Sequence, residues 1–414
     1  MTNTPHPLSR DALPGLNKRY KAEKRFRRTG IVVIAFSLSF LAFLIGAITY
    51  RGIGAFQKTE ILLDVPATLV AEYVDDDFTL LRQVTLHNFE GAEGRTGRRE
   101  AYQIIGEGSE TDLKAAIENT GPFEGSISIW VPTSDTVDMA WKSDLSEDMT
   151  TLFSDRQKEW LVAMAQDNRL RKSFNTGFFT NGDSRDPERA GIGGALIGSI
   201  FTLIVCLVFS FIIGIMAAIY LEEFAKKNKF TSFLEVNINN LATVPSIIFG
   251  LLGLAVFLNV FGLPRSSPLV GGLVLSLMTL PTIIIASRVS LQAVPPSIRE
   301  AALGLGASQI QMVFHHVMPL ALPGMLTGTI LGMARALGET APLLMIGMVA
   351  FIADPPSSFL DPATALPVQV FLWSDSPERA FAEKTAGAIL VLLVFLVLMN
   401  LTAIILRKKL EKKW

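Results

Sequence analysis

Cysteine is nearly absent. Cys206 stands alone inside an apolar run, so no disulfide can form within the chain, and it says nothing of the redox compartment. Charge is scarce: 18% of the 414 residues are charged and 50% are hydrophobic. A soluble chain of this size usually carries more charge. Histidine is limited to four residues, and His87 has no neighbour that would make a ligand set. No glycine-rich loop ends in Gly-Lys-Ser/Thr, so the chain has no phosphate cradle for a nucleotide. No nucleophile–base arrangement, metal-ligand spacing, internal repeat or low-complexity tract is visible. No catalytic residue, no metal and no cofactor bound by this chain is expected.

Long apolar runs without charge are present instead. A membrane helix needs about 20 such residues. Residues 31–50, 190–221, 236–264, 266–287 and 385–406 supply five runs, and a sixth, 319–350, is interrupted only by Arg335 and Glu339. The sequence is read as an all-α polytopic membrane protein with six transmembrane helices. The first run is longer than a usual signal core and no small-x-small cleavage pattern follows it cleanly, so it reads as an uncleaved anchor. The basic N-terminus (1–30), the tail 407–414, "EEFAKKNKF" and the stretch from Arg288 to His316 all fall on one side. The positive-inside rule makes that side the cytoplasm, with both termini on it.

Residues 51–190 form a polar block outside the membrane, between helices 1 and 2. It mixes strand-like runs ("EILLDVPATLVAEYV", "GSISIWVP") with helix-like ones ("DLKAAIENT", "DRQKEWLVAMAQDNRL"), which indicates an α+β insertion domain. Its acidic cluster, Asp75, Asp76 and Asp77, lacks ligand-like spacing and reads as a solvated turn rather than a cation site. Residues 191–406 then hold helices 2–6, with a cytoplasmic loop at 293–319.

In that loop, Pro295 and Pro296 end the fourth span. Ser297 and Glu300 have capping-box spacing, which predicts a helix over about 298–305. Gly306 suits a left-handed stop, and Ser308 suits the cap of a second helix running to Pro319. Arg335 and Glu339 are spaced to share one helix face and to pair. Pro342 cannot donate to the carbonyl of Gly338, so both residues mark a hinge or kink beside that pair. Pairing alone could serve packing, but charge at membrane depth is costly and points to function. Gly250 and Gly253, behind Pro245 and Ser246, read as close-packing positions.

"EAALGLG" resembles the EAA loop of ABC importer permeases, with Glu300, Ala301, Ala302 and Gly306 on the pattern. The later Ile-x-Leu-Pro of that loop is matched only at Pro319. "RALGETAPLL" (335–344) resembles the fifth-span signature of the PstA family of phosphate-importer permeases. "PERAGIGGALIGS", "YLEEFAKKN", "NNLATVPSIIFGLLG" and "TALPVQV" agree in order, covering most of the chain from residue 187. The resemblance implies the type I ABC importer permease fold, with 51–190 as a long-loop variation. It implies a substrate pathway at Arg335, Glu339 and Thr340, and coupling to an ATPase at Glu300, Ala301, Ala302 and Gly306. Where the family commonly has arginine this chain has Ile285, and Arg288 follows one turn later. Arg288 either replaces that charge in the pathway or anchors the helix at the membrane edge.

The implied partners are a homologous PstC-like permease, a PstB-like ATPase dimer that uses ATP-Mg, and a PstS-like phosphate-binding protein. Inorganic phosphate is the implied cargo and membrane lipid the implied surroundings, with no nucleic acid. Two alternatives stand beside this reading. One is the permease of another oxyanion importer, for sulfate or molybdate. The other is a membrane receptor sensing ligand through the outer block, against which stands the shortness of every inside segment.

Overall fold

In the computed structural model, residues 16–73, 76–142, 152–349 and 351–410 are described. Arg10, Asp75 and the last four residues of the basic tail lie outside them. Apolar runs fold as helices because a membrane offers backbone groups no other partner. The first helix, Leu16–Gly52, has 37 residues and carries its basic turns straight into the apolar part. Residues 1–51 are a unit of their own, and Gly52–Trp414 form the second.

In the second unit, Gly193–Phe224, Pro268–Gln292, Gln309–Leu337 and Arg379–Leu410 are long and apolar enough to cross a membrane. The pair Lys229–Leu241 and Ser246–Val260 is bent by 104°; counted as one span it is the third, and the total among the described residues becomes six. The bend falls at Pro245, which forces the preceding backbone out of the helical region. The fifth span differs from expectation. It begins at Gln309 and its helix ends at Leu337, well before residue 350.

The fourth span is the axis of this core. A Cβ on Gly272 would lie 2.4 Å from Val205 of the second span, and one on Gly214 would lie 2.8 Å from Ile283. Against the fifth span, a Cβ on Gly324 would lie 2.2 Å from Ser290 and one on Gly328 2.3 Å from Ala286. Small residues at these crossings let the backbones approach. The Gly324–Ser290 and Gly328–Ala286 contacts fix an antiparallel register. It brings Arg335 close to the level of Thr279, near the middle of the helix Pro268–Gln292.

The insertion is α+β, as the sequence indicates. Its three strands are β1 (Gln57–Pro66), β2 (Ser126–Pro132) and β3 (Leu170–Phe174), in the antiparallel order β2-β1-β3. Ile61 faces Val131 and Leu63 faces Ile129 across the ladder. Ile61, Leu63 and Val65 are fully buried, at the two-residue period of a strand with one covered face. Leu80, Leu113 and Leu161, from three helices, fill the same core.

Two local readings are corrected. The run through "ATLVAE" is not strand: the ladder stops at Pro66, and Ala67–Glu72 turn helical. "DRQKEWLVAMAQDNRL" is not one helix: it ends at Gln166, Asn168 turns the chain at φ 56°, and Leu170 starts β3. Asp76 caps the helix Asp77–Asn88 through Thr79, and Asp77 pairs with Lys114 at 2.8 Å.

The insertion is tied to the membrane core. Lys142 Nζ donates to Asp138 at 2.5 Å and to Glu383 of the sixth span at 2.9 Å. Lys384 Nζ is buried and donates to the Ala190 carbonyl at 2.6 Å. Replacing Leu63 by Ala removes a fully buried side chain from the central strand. It should destabilise the chain by roughly 2–5 kcal/mol, while the exposed Lys172→Gln stays within about 0.5 kcal/mol. Thermal unfolding of the full chain measures both.

Candidate functional site

The helix of the fifth span stops two residues after Arg335. Residues 338–340 are non-helical, and a short helix, Ala341–Met345, follows. Pro342 sits in the first turn of that short helix, where its missing N–H costs nothing. The expected kink is therefore a full break, and Arg335 and Glu339 do not share one helix. They still pair across the break, Nε to Oε1, at 3.5 Å. Arg335 is 49% exposed and Glu339 21%. Thr340 is half-buried and opens the short helix without a side-chain cap.

Gly338 has φ −88°, and a Cβ there would meet only the Arg335 carbonyl oxygen at 3.7 Å, so the backbone there does not demand glycine. Gly250 is different. A Cβ there would lie 2.8 Å from the Pro342 Cα and 2.9 Å from Met345, so the second half of the bent third span packs directly on the broken end of the fifth. A Cβ on Gly253 would likewise lie 2.2 Å from Val274.

At the other end of the bundle the loop forms a helix, Pro296–Gly304, capped at Pro295 with no side-chain bond. The Ser297–Glu300 box does not form, because the two prolines occupy its first positions and place Ser297 inside the helix. Gly306 has φ +87°, the left-handed stop its type favours. Ser308 forms a capping box with Gln311 and opens the fifth span. Glu300, Ala301 and Gly306 are exposed, and Ala302 is buried. Beside them Leu303 is 48%, Leu305 91% and Ile310 61% exposed.

Arg288 lies at this end of the fourth span. It pairs with Glu222 at 3.4 Å and Glu235 at 2.8 Å, far from Arg335 in the helix register. The structure does not bring Arg288 together with Arg335, Glu339 and Thr340. Sequence reasoning missed the groups around it. Arg299 of the loop helix donates to Glu223 at 2.6 Å and to the carbonyls of Val294 and Leu291 at 2.7 and 2.9 Å. Glu223 is 6% exposed. The available signal was a pair of acidic residues ending an apolar run on the side where basic residues are the rule.

Residues 210–414 match the family of binding-protein-dependent transport system inner membrane components, and residues 14–151 match a domain of unknown function, DUF3333. The chain is 31% identical to the phosphate transport system permease protein PstA 1 of Mycobacterium tuberculosis, over 53% of this chain and 72% of that one. It is 31% identical to PstA of Haemophilus influenzae, over 57% and 83%. A probable ABC transporter permease, YqgI of Bacillus subtilis, is 28% identical over 55% and 81%. Relatives that similar over most of their own length are transporter permeases and not enzymes. The chain belongs to the binding-protein-dependent transport inner membrane component family, as a multi-pass, PstA-like permease.

Proposed function

We propose that this chain is the transmembrane permease subunit of an ATP-driven importer of inorganic phosphate and forms half of its pathway. The carrying observation is Arg335, half-exposed beside a broken helix and level with the middle of the fourth span. A guanidinium there is too costly to face hydrocarbon. Its face must meet water or another protein, as must the non-helical backbone of residues 338–340. Arginine stays charged and presents a fork that matches phosphate oxygens. Glu339, at 3.5 Å, orients the guanidinium and competes with a passing anion. Binding is thus kept weak enough for release. Thr340 adds a hydroxyl. The other half of the path would come from a PstC-like permease, and a PstS-like protein would deliver phosphate outside.

Coupling would run through the helix Pro296–Gly304. Leu303, Leu305 and Ile310 expose an apolar patch beside Glu300 and Ala301, suited to a groove of a PstB-like ATPase dimer using ATP-Mg. The Arg299–Glu223 pair ties that helix to the cytoplasmic end of the second span, so a push on the loop reaches the bundle. Both termini lie in the cytoplasm and the insertion outside.

Three outcomes are expected in proteoliposomes holding the full complex and the binding protein. Arg335→Gln assembles but takes up labelled phosphate at least tenfold more slowly; equal uptake would leave Arg335 and Glu339 a packing pair. Sulfate and molybdate do not compete; if they do, the cargo is oxyanions in general. Glu223→Gln breaks a pair with a buried member, which costs about 3–5 kcal/mol, and lowers the phosphate carried per ATP hydrolysed. An unchanged ratio would sink the coupling role of Arg299.

A further inference from the structure

A cleft of about 1380 Å³ opens on the insertion, and neither the membrane path nor the coupling loop uses it. Usual small-molecule pockets hold about 300–1,000 Å³, so it has room for an ion with its water. One wall is basic. Arg95, Arg98 and Arg99 come from the helix Gly94–Tyr102, Arg82 from the helix Asp77–Asn88, and Arg185 from the segment leading to the second span. The lining is acidic elsewhere, with Glu107, Asp135, Asp186 and Glu188, and Ser134 and Thr136 add hydroxyls. Glu378, next to the start of the sixth span, closes the rim. The cleft therefore joins the insertion to the outer edge of the membrane core.

The basic wall is held at a cost. Arg95, Arg98 and Arg99 fall at three- and four-residue spacings on one short helix, where like charges repel. Among the described residues, Arg95, Arg98, Arg99 and Arg185 form no ion pair; the ion pairs of the insertion lie elsewhere, as at Arg156–Glu100. Arg82 is fixed between rings, 4.0 Å above Phe78 and 5.3 Å from Tyr102. All four are exposed, so their forks are free to meet an oxyanion that enters the cleft. The acidic wall narrows the choice. A carboxylate accepts hydrogen bonds and repels any oxyanion that offers only acceptors. Hydrogen phosphate keeps one P–OH at neutral pH, so it can present bare oxygens to the arginines and donate its hydroxyl to a carboxylate. Sulfate and the phosphodiester of a lipid headgroup have no such proton.

The geometry points to an outer binding site for inorganic hydrogen phosphate in this cleft, with Arg95, Arg98, Arg99 and Arg185 binding its bare oxygens and the Glu107–Asp186 carboxylates accepting its hydroxyl. Glu107 is held above the usual carboxylate range by its hydrogen bond to Asp186, and burial raises Glu188. The site is separate from Arg335 and stands whether or not that residue lines the path.

The test uses the full chain in phosphatidylcholine nanodiscs at about 0.15 M salt, where remote surface charges are screened. It carries Arg335→Gln, so that any membrane-path binding is silent. Calorimetric titration with inorganic phosphate should show saturable binding. The pair Arg98→Gln/Arg99→Gln, and separately the loop variant Arg185→Gln, should each weaken it at least tenfold, with unfolding temperatures unchanged. Lys172→Gln, an exposed cation outside the cleft, should not change it. Sulfate should bind at least tenfold more weakly than phosphate. The proposal is overturned by absent binding, by equal binding in the arginine variants, or by an equal loss in Lys172→Gln. Equal affinity for sulfate also overturns it. So does loss of phosphate binding in nanodiscs containing phosphatidylglycerol, since a lipid headgroup would then fill the cleft. Uptake lost in Arg335→Gln with this binding intact separates the two sites.

Discussion

The membrane core rests on backbones that touch. Lipid gives helices no hydrophobic reason to associate, so contact must come from close packing. The fourth span meets its neighbours where glycine faces another helix's atoms, at Gly272 under Val205 and at Gly328 under Ala286. A methyl group at either place would need a helix to move. These contacts set how far the fifth span slides along the fourth, and so the depth of Arg335. They also bring Glu222 and Glu223, at the end of the second span, within reach of Arg288 and Arg299.

The charges of the core therefore divide into two kinds. At the end that bears the helix Pro296–Gly304 the pairs are tight and sheltered: Glu223 is nearly buried and Arg299 satisfies two carbonyls besides. Breaking such a pair leaves a stranded charge, which gives it a holding role. At mid-depth the pair is loose and half-open, and its geometry contributes little to stability.

Much of this was legible in local signals. Charge-free runs gave the spans, alternation gave β1 and β2, and Gly306 and Ser308 marked the loop's stop and restart. What misled was always a competing local rule or a distant partner. Two prolines displaced the Ser297–Glu300 box. A hydropathy window carried the fifth span past Leu337, because it weighs residues and not hydrogen bonds. Arg171 and Lys172 sat in a stretch too polar to suggest β3, whose pairing partner lies a domain away in sequence. The acid–base pairs of Glu222, Glu223 and Glu235 join separate spans, and nothing adjacent announces them. The arginines of Gly94–Tyr102 gave no sign that Arg185 shares their cleft.

The strand register of the insertion has an evolutionary consequence. β1 begins at Gln57, and β3 ends opposite it at Phe174. Paired strands lie about 4.8 Å apart. The whole α+β domain therefore leaves and rejoins the membrane core through one narrow doorway. A module so attached can be acquired or shed by a permease without re-threading a single span, much as an attachment clips to one socket. Glu383 on the sixth span, which now pairs with Lys142 of the module, would then need a new neighbour.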